Sequence, residues 1–260
     1  MEWVKLEKAG RVGIIKLVRE DRMNVFNLDS GQELLDAIHE ASEDRDVRCV
    51  VLTGRGKAFC AGGDINIMKR YMQGERKLMK DLTSCLHHVI TEIVRMEKPV
   101  IAAINGVAAG AGIGLAMAGD LAYASPSAVF IFAYPTVGLS PDGGASLLAR
   151  EIGYRRAMEL MLTGRKLPAA EALSLGLING VFEQDGFYES VLKVAGSVST
   201  GPAKAFAAGK ALFRRAFLHS METHLEAERQ ALVRQSQTSE FREGIASFLA
   251  KKPARFEDCD

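Results

Sequence analysis

The chain has 260 residues, and its 33 Lys and Arg against 32 Asp and Glu leave a formal net charge of +1. With 48% hydrophobic and 25% charged residues it can bury a sizeable core, which excludes disorder over most of its length. The balanced charge gives no bulk attraction to nucleic acid or to an anionic membrane.

From the N-terminus, residues 2–52 read as strand, helix, strand. Residues 12–17 alternate loosely as a strand, and residues 30–42 place Leu34, Leu35, Ala37, Ile38 and Ala41 at helical spacing. Residues 47–52 form a buried strand closed by Thr53-Gly54. Residues 65–96 are mostly helical, with a break at Gly74 and an end at Lys98-Pro99. Residues 100–119 then run for 20 positions without a charge, a length that could span a bilayer. The run is largely Ala and Gly, Asp120 closes it and no aromatic belt flanks it. A strand, a glycine-rich turn and a buried helix, under way from Leu115, are therefore expected. Short strands follow at 121–124 and 129–132. Beyond about residue 145 the pattern is almost wholly helical: 145–152, 154–162, 169–175, 187–199, 202–220, 221–237 and 239–250.

Cys49, Cys60, Cys85 and Cys259 form no CxxC pair, and the five histidines include no HExxH, so no metal site is expected. Met1 to Gly10 carries charges rather than an apolar stretch, so no secretory signal is expected and a cytoplasmic location is.

Two glycine-rich turns dominate the chemistry. One is Cys60-Ala-Gly-Gly-Asp64 and the other spans Gly106 to Gly114. Neither fits a nucleotide fingerprint: Leu115 stands at the third glycine of GxGxxG, and the first turn lacks GK[ST]. Both are also readable as close-packing devices. If each turn joins a strand to a helix, unpaired backbone N–H groups point outward at the helix start. Two such turns on adjacent strands could aim two donors at one oxygen, which is an oxyanion hole. A third feature is Gly138-Leu-Ser-Pro-Asp142-Gly-Gly144, where the local pattern by itself favours Asp142 as a helix N-cap.

Five segments then occur in one order: Ala58-Phe-Cys-Ala-Gly-Gly-Asp64, Lys98-Pro-Val-Ile-Ala-Ala-Ile-Asn-Gly-Val-Ala-Ala-Gly110, Gly138-Leu-Ser-Pro-Asp142, Leu162-Thr-Gly-Arg165 through Gly176-Leu-Ile-Asn179, and Phe241-Arg-Glu-Gly-Ile-Ala-Ser-Phe248. In these the chain resembles the enoyl-CoA hydratase/isomerase (crotonase) family over nearly its whole length. The resemblance implies an α/β fold: a ββα spiral over 1–200 with a helical trimerisation region over 201–260, often paired into hexamers. It implies an acyl-CoA thioester as ligand, with coenzyme A as part of the substrate and no separate cofactor. The oxyanion donors map to the N–H groups of Gly63 and Ala111. Arg22, Met23, Val25, Ala61, Gly62, Asp64, Ile65, Gly110, Tyr134 and Leu139 map to substrate and coenzyme A binding. Lys210 is a candidate for the coenzyme A phosphates. Pocket depth is expected to depend on Met68, Tyr71 and Leu86.

Members that add water resemble one another in two glutamates, and here those positions hold Gly114 and Tyr134. Asp142 aligns with the single carboxylate of members that shift a double bond, where one group serves as base and then as acid. In the 4-chlorobenzoyl-CoA dehalogenase branch the same Asp is a nucleophile, helped by a His and a Trp. His87 stands at that His position, twelve residues before Pro99, and Tyr134 at the Trp position. His87 is also readable as a helix residue packed beneath the site. An inert acyl-CoA-binding scaffold would keep the glycine turns without the carboxylate. Arg76, Lys77 and Lys80 alternate with Glu75 and Asp81, which reads as a solvated face rather than an RNA-binding helix.

Overall fold

The computed structural model describes residues 2–217, 225–226, 229–230, 232–234 and 236–254. Cys259, His219, His224 and much of the helix expected over 221–237 lie outside the described residues.

The described strands form two sheets. The larger contains β1 (Val4–Ala9), β2 (Val12–Leu17), β3 (Cys49–Gly54), β5 (Val100–Ile104), β7 (Leu121–Ala124) and β10 (Gly180–Val181), side by side in that order. The smaller contains β4 (Ala58–Cys60), β6 (Val107–Ala109), β8 (Val129–Ile131) and β9 (Lys166–Pro168). β1 pairs antiparallel with β2, and β9 with β8; the other pairings are parallel.

β3 and β5 are unbroken apolar runs because both faces of the sheet are covered. Val50, Leu52, Val100 and Ala102 join one core with α1 (Leu28–Glu43) and α3 (Leu78–Arg95). The alternate residues Cys49, Val51, Ile101 and Ala103 pack against Phe187, Val191 and Ala195 of α8 (Phe187–Ser199). Asn27 caps α1: its side chain accepts from Ser30 N at 2.8 Å, while its own N–H donates to Ser30 Oγ at 2.8 Å.

The spiral repeats one step: a strand in the large sheet, a corner, a strand in the small sheet, a helix. β3 and β4 lead to α2 (Ile65–Met72) and α3; β5 and β6 lead to α4 (Ala111–Met117). Asn105 ties successive corners together. Its amide donates to Gly56 O at 2.9 Å and Ala58 O at 3.1 Å, and its oxygen accepts from Gly54 N at 3.0 Å. The uncharged run 100–119 is thus two strands and a seven-residue helix. Among the described residues no helix is long and apolar enough to cross a membrane.

Five strands go beyond the sequence reading. β1 precedes the expected first strand as its hairpin partner. β4 and β6 occupy what read as turns, and β9 and β10 interrupt the stretch read as almost wholly helical. β4, β9 and β10 have two or three residues each, too few to set an alternation, and exist because a neighbouring strand supplies hydrogen bonds. The buried helix begins at Ala111 rather than Leu115.

The C-terminal segment returns to the same core. Leu225, Leu232, Phe241 and Ile245 are buried with residues of α1 and α3. The last described helix, Ser239–Leu249, is anchored by Phe241, whose ring meets the edge of Tyr71 at 5.9 Å.

Candidate active site

The ends of β4 and β6 lie side by side, so both glycine turns reach one place. Gly62 and Gly110 have φ of +102° and +50°, a region that side chains disfavour. The turns also touch: a Cβ on Gly110 would lie 3.7 Å from Gly62 Cα, and one on Gly62 would lie 3.1 Å from Ala109 O. Glycine here is the condition for bringing two backbones together.

This contact sets the direction of two N–H groups. Phe26 bridges Gly63 in parallel fashion: Phe26 N donates to Gly62 O at 2.7 Å, and Asp64 N donates to Phe26 O at 2.8 Å. Both bonds go to the neighbours of Gly63, so its own N–H points to the opposite side. Ala111 is the first residue of α4, where an N–H has no intrahelical acceptor. Neither N–H has a hydrogen-bond partner among the described residues. Both residues line one cavity.

Asp142 lines the same cavity and is 3% exposed. It does not act as a helix cap: the short turn Ala145–Leu147 has no side-chain cap, and Asp142 contributes only its carbonyl, to Ala145 N. Its carboxylate Oδ1 instead meets His87 Nε2 of α3 at 2.6 Å. The Tyr134 hydroxyl donates to the Asp142 carbonyl at 2.8 Å, fixing the loop from the other side. Gly143, with φ of +62°, lets this loop approach α3, since a Cβ there would lie 2.6 Å from Leu86 Cδ2.

The cavity has a volume of about 130 Å3. Ala61, Gly62, Gly63, Ile65, Gly110, Ala111, Tyr134, Leu139 and Asp142 all line it. Met68 and Leu86 do so too, whereas Tyr71 is buried behind it and accepts from Ser236 Oγ at 3.0 Å. Met79, Leu82, Thr83, Val137, Leu232 and Phe248 line it as well, and all of these but Phe248 stand outside the segments that the sequence singles out. Cys60, beneath the first turn, is fully buried, and burial pushes its thiol up to about 11. Among the described residues no cluster of three or more His, Cys, Asp or Glu is placed to hold a metal ion.

Comparison with known proteins agrees with this geometry. The family model for enoyl-CoA hydratase/isomerase matches residues 7–259. The chain belongs to the enoyl-CoA hydratase/isomerase family. It is 33% identical to the 1,2-epoxyphenylacetyl-CoA isomerase of Escherichia coli over 258 residues, 98% of each chain. It is 32% identical to a 4-chlorobenzoyl coenzyme A dehalogenase of an Arthrobacter species, over 96% of this chain and 91% of the relative. The crystal structure of an enoyl-CoA hydratase from Mycobacterium avium subsp. paratuberculosis superposes with a TM-score of 0.89 at 30% identity, covering 99% of both chains. The crotonase fold and an acyl-CoA-processing enzyme follow at this level.

Gly114, where the resemblance expects the first hydratase glutamate, is closed by backbone. A Cβ on Gly114 would lie 2.0 Å from Gly143 O, so the Asp142 loop occupies the space a side chain would need. Tyr134, expected at the second such position, donates its hydroxyl to the Asp142 carbonyl.

Arg22, Met23, Val25 and Asp64 stand outside the cavity wall. Asp64 is buried and caps α2, accepting from Asn66 N at 2.9 Å. Arg22 and Met23 are exposed on a turn laid beside the first glycine turn, where Ala61 N donates to Met23 O at 3.0 Å. Met23 and Asn24 both have left-handed φ, and the Asn24 amide holds that turn by donating to Arg55 O and Ala58 O. Lys210 lies away from the cavity, with Nζ 2.5 Å from Asp120 Oδ2 and 3.1 Å from Lys98 O. That pairing ties α9 (Ala203–Phe217) to the start of β5.

Proposed function

We propose that this chain moves the double bond of an enoyl-CoA from the 3,4 to the 2,3 position. The observation that carries the reading is one buried carboxylate, Asp142, in the same cavity as the unengaged N–H groups of Gly63 and Ala111. Asp142 takes a proton from C2 of the 3-enoyl thioester. Charge moves onto the thioester oxygen, where the two N–H groups donate to it, each contributing about 3 kcal/mol to the transition state. The carboxylic acid then returns the proton at C4, and the double bond ends conjugated to the thioester. No water is consumed, in keeping with Gly114 and Tyr134 at the hydratase glutamate positions.

The acyl group is proposed to be compact. An apolar cavity of about 150 Å3 is enough to admit benzene, and this one is about 130 Å3. That favours a short chain or a single ring. The E. coli relative is named for a phenylacetyl-derived CoA ester, an acyl group of that size.

The test is turnover of a panel of 3-enoyl-CoA esters with wild type and Asp142→Asn. Loss of the acid–base group should lower kcat by roughly 10²–10⁴ while acyl-CoA binding persists. Equal turnover by both proteins rejects the role of Asp142, and binding without turnover of any ester by wild type indicates an inert acyl-CoA scaffold. Fast hydration of crotonyl-CoA would instead restore the hydratase reading.

A second reading is favoured by the 2.6 Å contact between His87 and Asp142. There Asp142 attacks an aryl carbon and displaces halide, and water then cleaves the aryl ester with His87 as base. Chloride release from 4-chlorobenzoyl-CoA decides for it. The chain is further proposed to assemble as a trimer or a pair of trimers. Light scattering should then give three or six times 28.2 kDa, and a monomer mass rejects it.

A further inference from the structure

A second cavity opens where the parallel strands of the larger sheet end. Val12 and Ile14 on β2, Cys49 and Val51 on β3, and Ile101 and Ala103 on β5 pack with α8. Two residues further along each chain stand Lys16, Thr53 and Asn105, which line a cavity of about 400 Å3 instead. The register sets Lys16 opposite Thr53 and Thr53 opposite Ala103, so the change from apolar to polar falls at one level across three strands. β1 adds Lys5 and Glu7, the turn after β3 adds Arg55, and the start of α8 adds Phe187 and Tyr188. This cavity shares no lining residue with the candidate active site. Its volume is that of a small-molecule pocket, and the carboxyl ends of parallel strands are where open α/β sheets take ligands.

The polar groups left over in it are donors. Thr53 Oγ1 donates to Ala103 O at 2.9 Å, and Asn105 is spent on Gly54, Gly56 and Ala58. Glu7 is spent on two ammonium groups, Lys16 at 2.7 Å and Lys5 at 3.1 Å. Each ammonium has three N–H groups and gives Glu7 one of them. Lys16 Nζ also stands 4.9 Å from the centre of the Tyr188 ring. Burial opposes the charge on Lys16, but Glu7 and Tyr188 outweigh it and hold this ammonium above its ordinary pKa. The Tyr188 hydroxyl is buried with no hydrogen-bond partner among the described residues, a cost that an acceptor on a ligand would remove. Three cations and one carboxylate line the cavity, which leaves two positive charges in surplus; Glu20 approaches Arg55 at 3.5 Å without lining it.

We propose that this cavity binds a phosphate monoester of a small organic molecule. Its dianionic phosphate accepts from Lys5, Lys16 and the Tyr188 hydroxyl, with Arg55 at the exposed rim, and its carbon body lies against Phe187 and Val18. The experiment is calorimetric titration of the full-length protein with glycerol 3-phosphate, with glycerol as the uncharged control. Wild type should bind the phosphate ester and not glycerol, and excess coenzyme A should leave that binding in place. Lys16→Gln and Lys5→Gln should each weaken it about tenfold, and Tyr188→Phe about three- to tenfold. Asp142→Asn should bind as wild type does. Where Lys16→Gln fails to match the wild-type circular dichroism, Lys5→Gln, at an exposed side chain, carries the same test. No binding up to about 10 mM, displacement by coenzyme A, or an affinity unchanged in all three variants overturns the site. Tighter binding of succinate than of the phosphate ester overturns the choice of phosphate. No readout uses turnover, so the site stands or falls apart from the reaction proposed for Asp142.

Discussion

Replacing Gly114 by Ala tests whether the Asp142 loop and α4 are packed backbone to backbone. On an exposed helix, Gly to Ala stabilises by about 1 kcal/mol. Here the new Cβ would lie 2.0 Å from Gly143 O, 3.0 Å from Gly143 C and 3.2 Å from Ile90 Cδ1, whereas ordinary contact begins at 3.4 Å. The carbonyl must therefore retreat by about 3.4 − 2.0 = 1.4 Å. Asp142 is the preceding residue. If it moves with the carbonyl, its 2.6 Å bond to His87 lengthens toward 4.0 Å, beyond hydrogen-bond reach. Overpacking of this kind costs about 1–3 kcal/mol, which outweighs the gain in helix propensity. Thermal unfolding should fall by about 2–10 °C, and turnover should fall with it. Gly114→Glu should be worse on both counts and should gain no hydration of crotonyl-CoA. A Gly114→Ala protein with wild-type melting temperature and turnover would refute the packing argument, and hydration by Gly114→Glu would refute the view that this space is closed.

Two further outcomes are expected. Tyr134→Phe removes the donor to the Asp142 carbonyl, a buried bond worth about 0.5–1.5 kcal/mol; melting should drop by about 1–5 °C, and activity should fall less than in Asp142→Asn. An unchanged melting temperature would mean that the hydroxyl does not hold the loop. Burial pushes the Cys49 thiol up to about 12 and the Cys60 thiol up to about 11, so little thiolate exists near neutrality. Alkylation at pH 8 should reach these two residues only after denaturation, and rapid labelling of either in the native protein would contradict their burial.

Much of the site was legible because its parts are local. A glycine with left-handed φ at a close approach leaves a mark in a sequence, so the turns around Gly62 and Gly110 stand out in it, while Gly63 and Ala111 come as donors from the family resemblance. Asp142 was ambiguous by the same token. Its Pro-Asp-Gly-Gly setting suits a cap as well as a base, and only the 2.6 Å approach of His87, 55 positions earlier, separates the two. Asp64, expected at the ligand, caps α2, a role that its place in the glycine motif does not reveal.

The sequence by itself determined the order of the glycine turns, the single carboxylate and the resemblance to a family that implies the spiral, because turn chemistry and motif order are properties of neighbouring residues. The tertiary structure decided the rest. It paired His87 with Asp142, closed the Gly114 position with the Gly143 carbonyl, drew Lys210 to Asp120, and brought Leu232 to the cavity wall. It also created β9 and β10, which exist only where β8 and β7 offer hydrogen bonds. These are contacts between segments far apart in the chain, and their energy depends on distances that no local pattern encodes.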